Sequence, residues 1–446
     1  MTNEELVVQA QSLLRSNDAG GFTKPSPTQY PHLWNWDSAL IALGLAHFDL
    51  PRAFTEIRTL LSAQWRDGMV PHIIYPYGAS DYFPPPEFWQ TADLPHGGDV
   101  PSSGLTQPPV LATILRKILE NAKWTPQNER GEGRDELAHF ANAIFNWHKW
   151  LHTARDADGT GLPCLIHPWE SGTDNSPRWL HALDAVTPRD LPQFKRKDMQ
   201  HVAVEERPRP QDYERFVHLI NTGRQLKWEH KPLLDEMPFL VQDAMFCALL
   251  HRADEDLLWL AQMLGLPKAM RAEIEGWMAR TRAVFDARFW DEERGLYLDY
   301  DLRAGKTIPI NTISTFVPLL AGLPDAHKAA RLVQEHLRNS DEYAPGKNSA
   351  FVLPSAAKNE PLYAPRRYWC GPIWIQMNWL VSEGLRRYGY AAEADALVSD
   401  ALTLIKKEGF REYYDPRDGS GCGAKQFSWS AALAIEMQNA KLGNAK

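Results

Sequence analysis

Residues 268–300 read KAMRAEIEGWMARTRAVFDARFWDEERGLYLDY, and this stretch contains the two features that recur along the chain. Its first part, residues 268–289, has apolar side chains at the spacing of an amphipathic α-helix. The acidic residues and glycine that follow, Asp291 to Gly295, are typical of a turn, and Gly295 to Tyr300 alternate as in a β-strand. The stretch therefore predicts a long helix followed by a short hairpin.

The helical period continues over most of the chain, and strand patterns are rare. Similar acidic, glycine-containing turns occur at Asp156 to Leu162 and at Asp415 to Gly421. Helices paired through such hairpins are what a toroid of helical hairpins requires. No change in composition marks a boundary, so we expect a single all-α domain over residues 1–446. The predicted helices cover 3–15, 37–46, 51–65, 108–122, 136–156, 242–251, 255–264, 268–289, 313–322, 325–339, 371–388, 391–407 and 428–438.

The composition excludes several classes of protein. The 446 residues include 48 Lys and Arg against 56 Asp and Glu, a net charge of −8, with 44% hydrophobic residues. These values are not those of a disordered chain. They also give no basic surplus for binding nucleic acid. The four cysteines show no CxxC spacing. No signal peptide and no apolar run long enough to span a membrane is found, which predicts a cytoplasmic protein that is not attached to a membrane.

Two long segments, residues 75–106 and 180–212, lack a helical pattern. The first contains Pro84-Pro85-Pro86, and the second contains prolines at 188, 192, 208 and 210. Loops of this length within a compact domain are often functional. Because both also contain aromatic residues, we expect them to act as lids over a site rather than as linkers.

Carboxylates that lie among aromatic residues give the strongest chemical signal in the sequence. Three such clusters surround Asp37, Asp174 and Glu412, and a fourth, around Trp369, has no acid. An acid between aromatic walls is poorly solvated, so its pKa rises and it can donate a proton near neutral pH. A second, ionised carboxylate could activate water, which is the two-carboxylate scheme of glycoside hydrolysis. The plainer alternatives are a helix cap for Asp37 and a salt bridge for Glu412.

Motifs for other chemistries are absent from the sequence. It has no GxGxxG opening a helix, no P-loop, no HExxH and no GxSxG. The 15 histidines are scattered without the spacing of metal ligands. We therefore expect neither a cofactor nor a metal ion.

Several longer runs resemble glycoside hydrolase family 63, whose members are inverting α-glycosidases built on an (α/α)6 toroid. The resembling runs include Leu61 to His72, Gly104 to Pro109, Trp169 to Trp179 and Phe410 to Pro416, and they extend from Tyr30 to Trp429. Their order along the chain also matches. The greatest similarity is to the bacterial hydrolases of mannosylglycerate and glucosylglycerate.

The resemblance implies a role for each matching position. Asp174 matches the general acid and Glu412 the general base. Arg207 and Tyr213 match positions that hold glycerate, with Arg209 as a competitor for the role of Arg207, and Tyr82 lies in the first lid segment. The remaining matches hold or enclose the sugar, and they are Tyr30, Trp34, Trp36, Asp37, Gln107, Trp169, Tyr368, Trp369 and Trp374.

The function expected from this resemblance is cleavage of 2-O-α-glycosyl-D-glycerate by inversion, with a small anionic glycoside as the binding partner. One alternative is a trehalase-like or α-glucosidase activity on a neutral disaccharide. A second is a sugar epimerase that would use His32 and His72 as acid and base. A third is a carbohydrate-binding protein without catalytic activity.

Overall fold

The computed structural model describes residues 1–78, 82–125, 132–346 and 349–444. Within these ranges the chain is mainly helical, and no helix combines the length and the apolar character needed to cross a membrane. The α-helices are α1 (Asn3–Ser16), α2 (Asn35–Ala46), α3 (Leu50–Leu61), α4 (Pro86–Trp89), α5 (Leu111–Asn121), α6 (Glu132–Ala154), α7 (Leu180–Asp184), α8 (Pro210–Gln225), α9 (His230–Glu236), α10 (Ala244–Met263), α11 (Lys268–Phe289), α12 (Pro318–Ala321), α13 (Ala326–Arg331), α14 (Ile375–Arg387), α15 (Ala391–Glu408) and α16 (Ser428–Asn444).

The strands are short and form small antiparallel sheets. They are β1 (Leu33–Trp34), β2 (Ile73–Ile74), β3 (Cys164–Leu165), β4 (Val241–Gln242), β5 (Trp290–Asp291), β6 (Leu296–Tyr297), β7 (Tyr300–Asp301), β8 (Lys306–Thr307), β9 (Arg411–Tyr414) and β10 (Gly421–Lys425). The pairs are β1 with β2, β5 with β6 and β9 with β10, and the largest sheet has the order β3-β4-β7-β8.

Helix contacts form a closed cycle. Along the cycle α2 contacts α5, α5 contacts α10, α10 contacts α12, α12 contacts α14, α14 contacts α16, and α16 returns to α2. A second set of helices lies against members of this cycle: α1 against α16, α3 against α2, α11 against α10 and α15 against α14. The N-terminal and C-terminal parts of the chain are thereby joined in one core.

The difference between the two sets of helices follows from their sequences. In α2 every residue from Asn35 to Leu45 is buried, because neighbours surround this helix on all sides. In α3 one face is buried and apolar, and the other carries polar side chains such as Arg58, as expected of a helix with one side toward solvent. Gly44 lets α2 approach α16 closely, since a Cβ at this position would lie 2.4 Å from Ala432.

Most predicted helices are present, but three predictions are wrong in detail. The predicted helices 242–251 and 255–264 are one continuous helix, α10, because the polar side chain of Asp254 is bound by His148 and His152 of α6 inside the core. Residues 313–322 form a 3₁₀ turn (Ile313–Phe316) followed by α12. Residues 325–339 form α13 followed by a π-helical turn (Leu332–Leu337).

The prediction that residues 180–212 lack helix is also wrong. The segment contains α7 and the start of α8, and Pro210 is the first residue of α8, a position at which proline favours a helix. The other segment, residues 75–106, contains the short helix α4, and its residues 79–81 lie outside the described ranges.

Two of the three predicted hairpins are confirmed. Trp290 pairs with Tyr297 across the turn at Asp291 to Gly295, and Tyr414 pairs with Gly421 across the turn at Asp415. The turn after Asp156 does not form a local hairpin, because the strand that follows it, β3, pairs instead with the distant β4.

Candidate active site

One cavity brings together the residues to which the resemblance gave a role, except Arg209, the competitor of Arg207. Its walls come from the beginnings of α2, α14 and α16, from the hairpin β9–β10, and from both predicted lid segments. The predicted residues in its lining are Tyr30, Trp34, Trp36, Asp37, Tyr82, Gln107, Trp169, Asp174, Arg207, Tyr213, Tyr368, Trp369, Trp374 and Glu412.

Asp174 lies in a turn between two short 3₁₀ helices, Pro168–Ser171 and Pro177–Trp179. The residue before it, Thr173, is held from several sides. Trp179 Nε1 donates to its carbonyl oxygen at 2.9 Å, and Arg178 Nη2 donates to its Oγ1 at 2.8 Å. The residue after it, Asn175, accepts a hydrogen bond from the backbone N–H of Trp369 at 2.9 Å. Asp174 is therefore fixed between the core and the aromatic wall.

Glu412 is on β9, and almost none of it is exposed. Its Oε1 accepts a hydrogen bond from the Tyr30 hydroxyl at 2.8 Å, and its Oε2 accepts one from the backbone N–H of Ala424 at 2.8 Å. The pairing of β9 with β10 is irregular between Cys422 and Lys425, which directs this N–H to the carboxylate instead of the partner strand. Arg207 Nη1 also approaches Glu412 Oε1, but this contact is long, at 3.5 Å.

The two carboxyl groups have different electrostatic surroundings. Burial raises the pKa of Asp174 to about 7, so a large fraction of this group is protonated near neutral pH. Burial also raises the pKa of Glu412, but the charge of Arg207 and the hydrogen bonds from Ala424 and Tyr30 oppose the rise. The arrangement suits a proton donor at Asp174 and a proton acceptor at Glu412.

Asp37 is a third carboxyl group in the cavity, and it is buried. Helix α2 begins at Asn35, so Asp37 lies within its first turn, and the alternative of Asp37 as the cap is wrong. Burial, together with the nearby charges of Glu412 and Asp174, holds the pKa of Asp37 well above its ordinary value. A protonated carboxyl here can donate a hydrogen bond to a sugar hydroxyl.

The structure separates the two arginines between which the sequence left a choice. Arg207 is buried in the cavity, where its guanidinium lies 4.1 Å from the centre of the Tyr368 ring and 3.4 Å from Asp198 Oδ2. Arg209 is not in this lining. It donates to both oxygens of Asp212, at 2.9 and 3.2 Å, and borders a neighbouring cavity.

Aromatic rings form one side of the cavity as a stack. Trp369 and Trp374 lie parallel, with 3.9 Å between ring centres, and Tyr413 stacks on the far face of Trp374 at 4.6 Å. On the opposite side Trp34 meets Tyr30 and Tyr82 edge to face, each at 5.2 Å. Such rigid apolar faces suit the C–H faces of a sugar ring.

Comparison with known proteins agrees with this site. Residues 30–430 match the model of a family described as the mannosylglycerate hydrolase MGH1-like glycoside hydrolase domain. The chain belongs to this family, within glycoside hydrolase family 63. The mannosylglycerate hydrolase of Thermus thermophilus is 42% identical over 429 residues, 96% of this chain and 99% of that protein.

Two further similarities extend over nearly the whole of this GH63 chain. The glucosylglycerate hydrolase of Mycolicibacterium hassiacum is 35% identical and covers 98% of both chains. A crystal structure of the GH63 mannosylglycerate hydrolase from Thermus thermophilus in complex with Tris and D-glycerate is 42% identical. It superposes with a TM-score of 0.88 and covers 96% of this chain and 99% of that chain.

GH63 membership makes the chain a glycoside hydrolase, so the epimerase and the binding protein without catalytic activity are no longer needed as alternatives. The histidines agree with this. His72 lines the cavity, but burial keeps its pKa well below the ordinary value, and its Nδ1 lies 2.7 Å from Ser103 Oγ. Burial lowers the pKa of His32 to about 4. Among the described residues, no group of three or more His, Cys, Asp or Glu side chains is arranged to hold a metal ion.

Several residues of the GH63 site were not predicted from the sequence. Asp198 is the main one, because it links Arg207 to Arg196, which donates to it at 2.6 and 3.0 Å. Burial raises the pKa of Asp198, but these arginines outweigh burial and leave its pKa below the ordinary value. Its position within the proline-rich segment gave no periodic signal. The other missed lining residues are Gly172, Pro208, Phe427 and Trp429.

Proposed function

We propose that this enzyme hydrolyses 2-O-α-D-glycosyl-D-glycerate, with mannose or glucose as the sugar, to the free hexose and D-glycerate. The observation that carries the proposal is the place of Arg207, a buried guanidinium in the same cavity as Asp174 and Glu412. An arginine fork pairs with the two oxygens of a carboxylate, and glycerate supplies one. The named relatives that act on mannosylglycerate and glucosylglycerate support the same substrate class.

In the proposed reaction Asp174 protonates the bridging oxygen as glycerate leaves. Glu412 takes a proton from a water molecule that attacks the anomeric carbon from the opposite face. This is the inverting mechanism, for which the two carboxyl groups lie roughly 6.5–9.5 Å apart so that water fits between sugar and base. The pKa of Asp174, about 7, supports its role as the acid.

The leaving-group side of the cavity is assigned to Arg207, Tyr213 and Tyr82. The Arg196 guanidinium lies over the Tyr213 ring, 4.3 Å from the ring centre, and it also donates a hydrogen bond to Asp198. Arg207 is thus part of a connected group of charges on the second lid segment. A neutral disaccharide would supply no carboxylate to pair with the Arg207 guanidinium. The trehalase-like alternative is therefore weaker.

Binding of the sugar is assigned to the other predicted residues of the cavity lining. Asp37 and Gln107 provide polar groups, and Gln107 Oε1 already accepts a hydrogen bond from the backbone N–H of Trp36 at 3.2 Å. The stack of Trp369 and Trp374 provides the wall. The complete proposed set for the sugar is Tyr30, Trp34, Trp36, Asp37, Gln107, Trp169, Tyr368, Trp369 and Trp374.

The proposal includes the architecture around the site. The closed cycle of helix contacts supports an (α/α)6 toroid formed by one domain, with α2, α5, α10, α12, α14 and α16 as its inner circle. Residues 75–106 and 180–212 would close over the substrate and exclude bulk water. A cytoplasmic location also stays a prediction.

The experiment is a hydrolysis panel of mannosylglycerate, glucosylglycerate and trehalose, followed by NMR of the first sugar released. We expect cleavage of at least one glycosylglycerate and a β-hexose as the first product. Asp174→Asn and Glu412→Gln should each reduce turnover by about 10²–10⁴-fold while the chain stays folded. An α-hexose, or a preference for trehalose, would contradict the proposal.

A further inference from the structure

Glu206, the residue next to Arg207, is buried although it belongs to the second lid segment. It is attached to the hairpin β9–β10 by both its main chain and its side chain. Its backbone carbonyl oxygen accepts a hydrogen bond from the Tyr413 hydroxyl at 2.6 Å. Its carboxylate accepts one from the backbone N–H of Gly423 at 2.9 Å and another from Arg366 Nη2.

The same turn of β10 holds both Glu206 and Glu412. The N–H of Gly423 binds Glu206, and the next N–H, that of Ala424, binds Glu412. Gly423 has φ +65°, and a Cβ there would lie 2.5 Å from Glu412 Oε2, so only glycine fits. The lid segment and the candidate general base are therefore positioned by one irregular piece of strand.

The contacts of Arg207 itself are weak by comparison. Its hydrogen bonds to Asp198 and Glu412 are long, at 3.4 and 3.5 Å, and its guanidinium also lies over the rings of Tyr368 and Tyr30. These contacts leave donors of the guanidinium for a ligand, but they do not hold the backbone of the lid segment. The backbone is held one residue earlier, through Glu206.

Arg366 completes the attachment on the outer side. Besides Glu206, it binds Ser420 Oγ at 3.0 Å and approaches Asp415 Oδ2 at 3.5 Å, both in the turn of the same hairpin. Its side chain is 40% exposed, whereas that of Glu206 is 9% exposed. The pair therefore lies at the rim, where the lid segment meets the hairpin.

We infer that Glu206 is a positioning residue that holds Arg207 in the cavity and thereby determines recognition of an anionic leaving group. The inference rests on the proposed function, since it assumes that Arg207 binds a carboxylate. Glu206 does not contact the substrate. It acts through Arg207, and its loss should weaken binding of the anion far more than it changes the handling of the sugar.

The test compares Glu206→Ala and Glu206→Gln with Glu205→Ala, an exposed glutamate one residue earlier in the same segment. Calorimetry measures binding of D-glycerate, and kinetics are measured on the glycosylglycerate and on the corresponding α-glycosyl fluoride, which has no glycerate. We expect Glu206→Ala to weaken D-glycerate binding and raise KM for the glycosylglycerate by about tenfold, a loss of ~1.4 kcal/mol. By contrast, turnover of the α-glycosyl fluoride in Glu206→Ala should differ from that of the wild-type enzyme by less than about threefold.

Glu206→Gln should give a smaller loss than Glu206→Ala, because an amide oxygen can still accept from Gly423. Adding Arg207→Met to either variant should cause no further loss of D-glycerate binding beyond that of Arg207→Met alone. Equal losses on both substrates, or wild-type D-glycerate binding in Glu206→Ala, would overturn the inference. Failure of the wild-type enzyme on glycosylglycerates, with the fluoride cleaved, would instead overturn the proposed function.

Discussion

Arg178 and Arg207 are both buried arginines, yet their surroundings differ. Arg178 is surrounded by short contacts: Nη1 and Nη2 bind Asp243 at 2.7 and 3.1 Å, Nη1 binds Asp299 at 2.9 Å, and the guanidinium lies 4.0 Å from the Trp179 ring centre. Arg207 has two carboxylate contacts of 3.4 and 3.5 Å. Arg178 lies behind the candidate acid, and Arg207 lies inside the cavity.

The difference separates a structural role from a binding role. A buried charge is costly unless it is paired and hydrogen-bonded, so the short contacts of Arg178 are what a stable core requires. Arg207 lacks such short contacts. The two carboxylates nearest to it do not depend on it, because each has other hydrogen-bond partners. Asp198 is bound by Arg196, and Glu412 is bound by Tyr30 and Ala424.

The largest effect is expected when Arg178 is replaced. Arg178→Met leaves Asp243 and Asp299 without their cation and should lower the free energy of unfolding by about 3–5 kcal/mol, measured by denaturant titration. The loss should be greater at pH 8 than at pH 5. Burial raises the pKa of Asp299 above its ordinary value in the intact protein, so lower pH neutralises the charge that the substitution leaves unpaired.

The matched control is Arg386→Met, because Arg386 binds Asp395 at 2.8 Å on the surface, with side chains 30% and 63% exposed. Its loss should be about 0–1 kcal/mol, as for other surface ion pairs. If Arg178→Met lowered the free energy of unfolding as little as this control, the structural role proposed for Arg178 and its partners Asp243 and Asp299 would be wrong.

Replacing Arg207 should affect binding more than folding. Arg207→Met should raise KM for the glycosylglycerate by roughly 10- to 150-fold, since a hydrogen bond to a charged group contributes about 1.5–3 kcal/mol. Unfolding should shift by less than about 1 kcal/mol, because the neighbouring carboxylates keep their other partners. Steady-state kinetics and denaturant titration on one preparation measure both. If Arg207→Met lowered the free energy of unfolding as much as Arg178→Met, Arg207 would also have a structural role, and the contrast between the two arginines would be wrong.

The contrast also shows what the sequence could and could not predict. Asp174, Glu412 and the aromatic wall lie in runs whose composition and order point to one chemistry, so residues far apart in sequence were predicted to meet. Asp198 and α8 were missed because prolines such as Pro210 suggested a loop, whereas Pro210 starts a helix. The choice between Arg207 and Arg209 depended on how an irregular segment folds, and no periodic pattern encodes that.

The pH dependence should report the acid in the cavity. With the pKa of Asp174 at about 7, kcat/KM for the glycosylglycerate should fall above that pH by roughly tenfold per pH unit, as the proton to be donated is lost. On the α-glycosyl fluoride, whose leaving group needs no proton, this alkaline fall should be weaker. Burial also raises the pKa of Asp299, so unfolding must be followed at the same pH values. An alkaline fall of equal size on both substrates would contradict the assignment of this titration to Asp174.

The stability of Asp174→Asn gives a second view of the same group. Because burial raises the pKa of Asp174, folding favours its protonated form, and the wild-type protein loses stability as pH rises from about 4 towards 7. Asparagine cannot ionise, so Asp174→Asn should raise the melting temperature at pH 8 relative to wild type, with the difference shrinking towards pH 4. A constant difference across this range would mean that Asp174 titrates at its ordinary pKa.

The smallest effect is expected for Arg209, the arginine two residues from Arg207. Its guanidinium is paired with Asp212 and its side chain is 42% exposed, so Arg209→Met removes a rim ion pair of about 0–1 kcal/mol. KM for the glycosylglycerate should stay within about twofold of wild type on this estimate. If Arg209→Met raised KM as much as Arg207→Met, both arginines would have to contribute to binding of the anion. The long contacts of Arg207 would then no longer mark it as the arginine that binds glycerate.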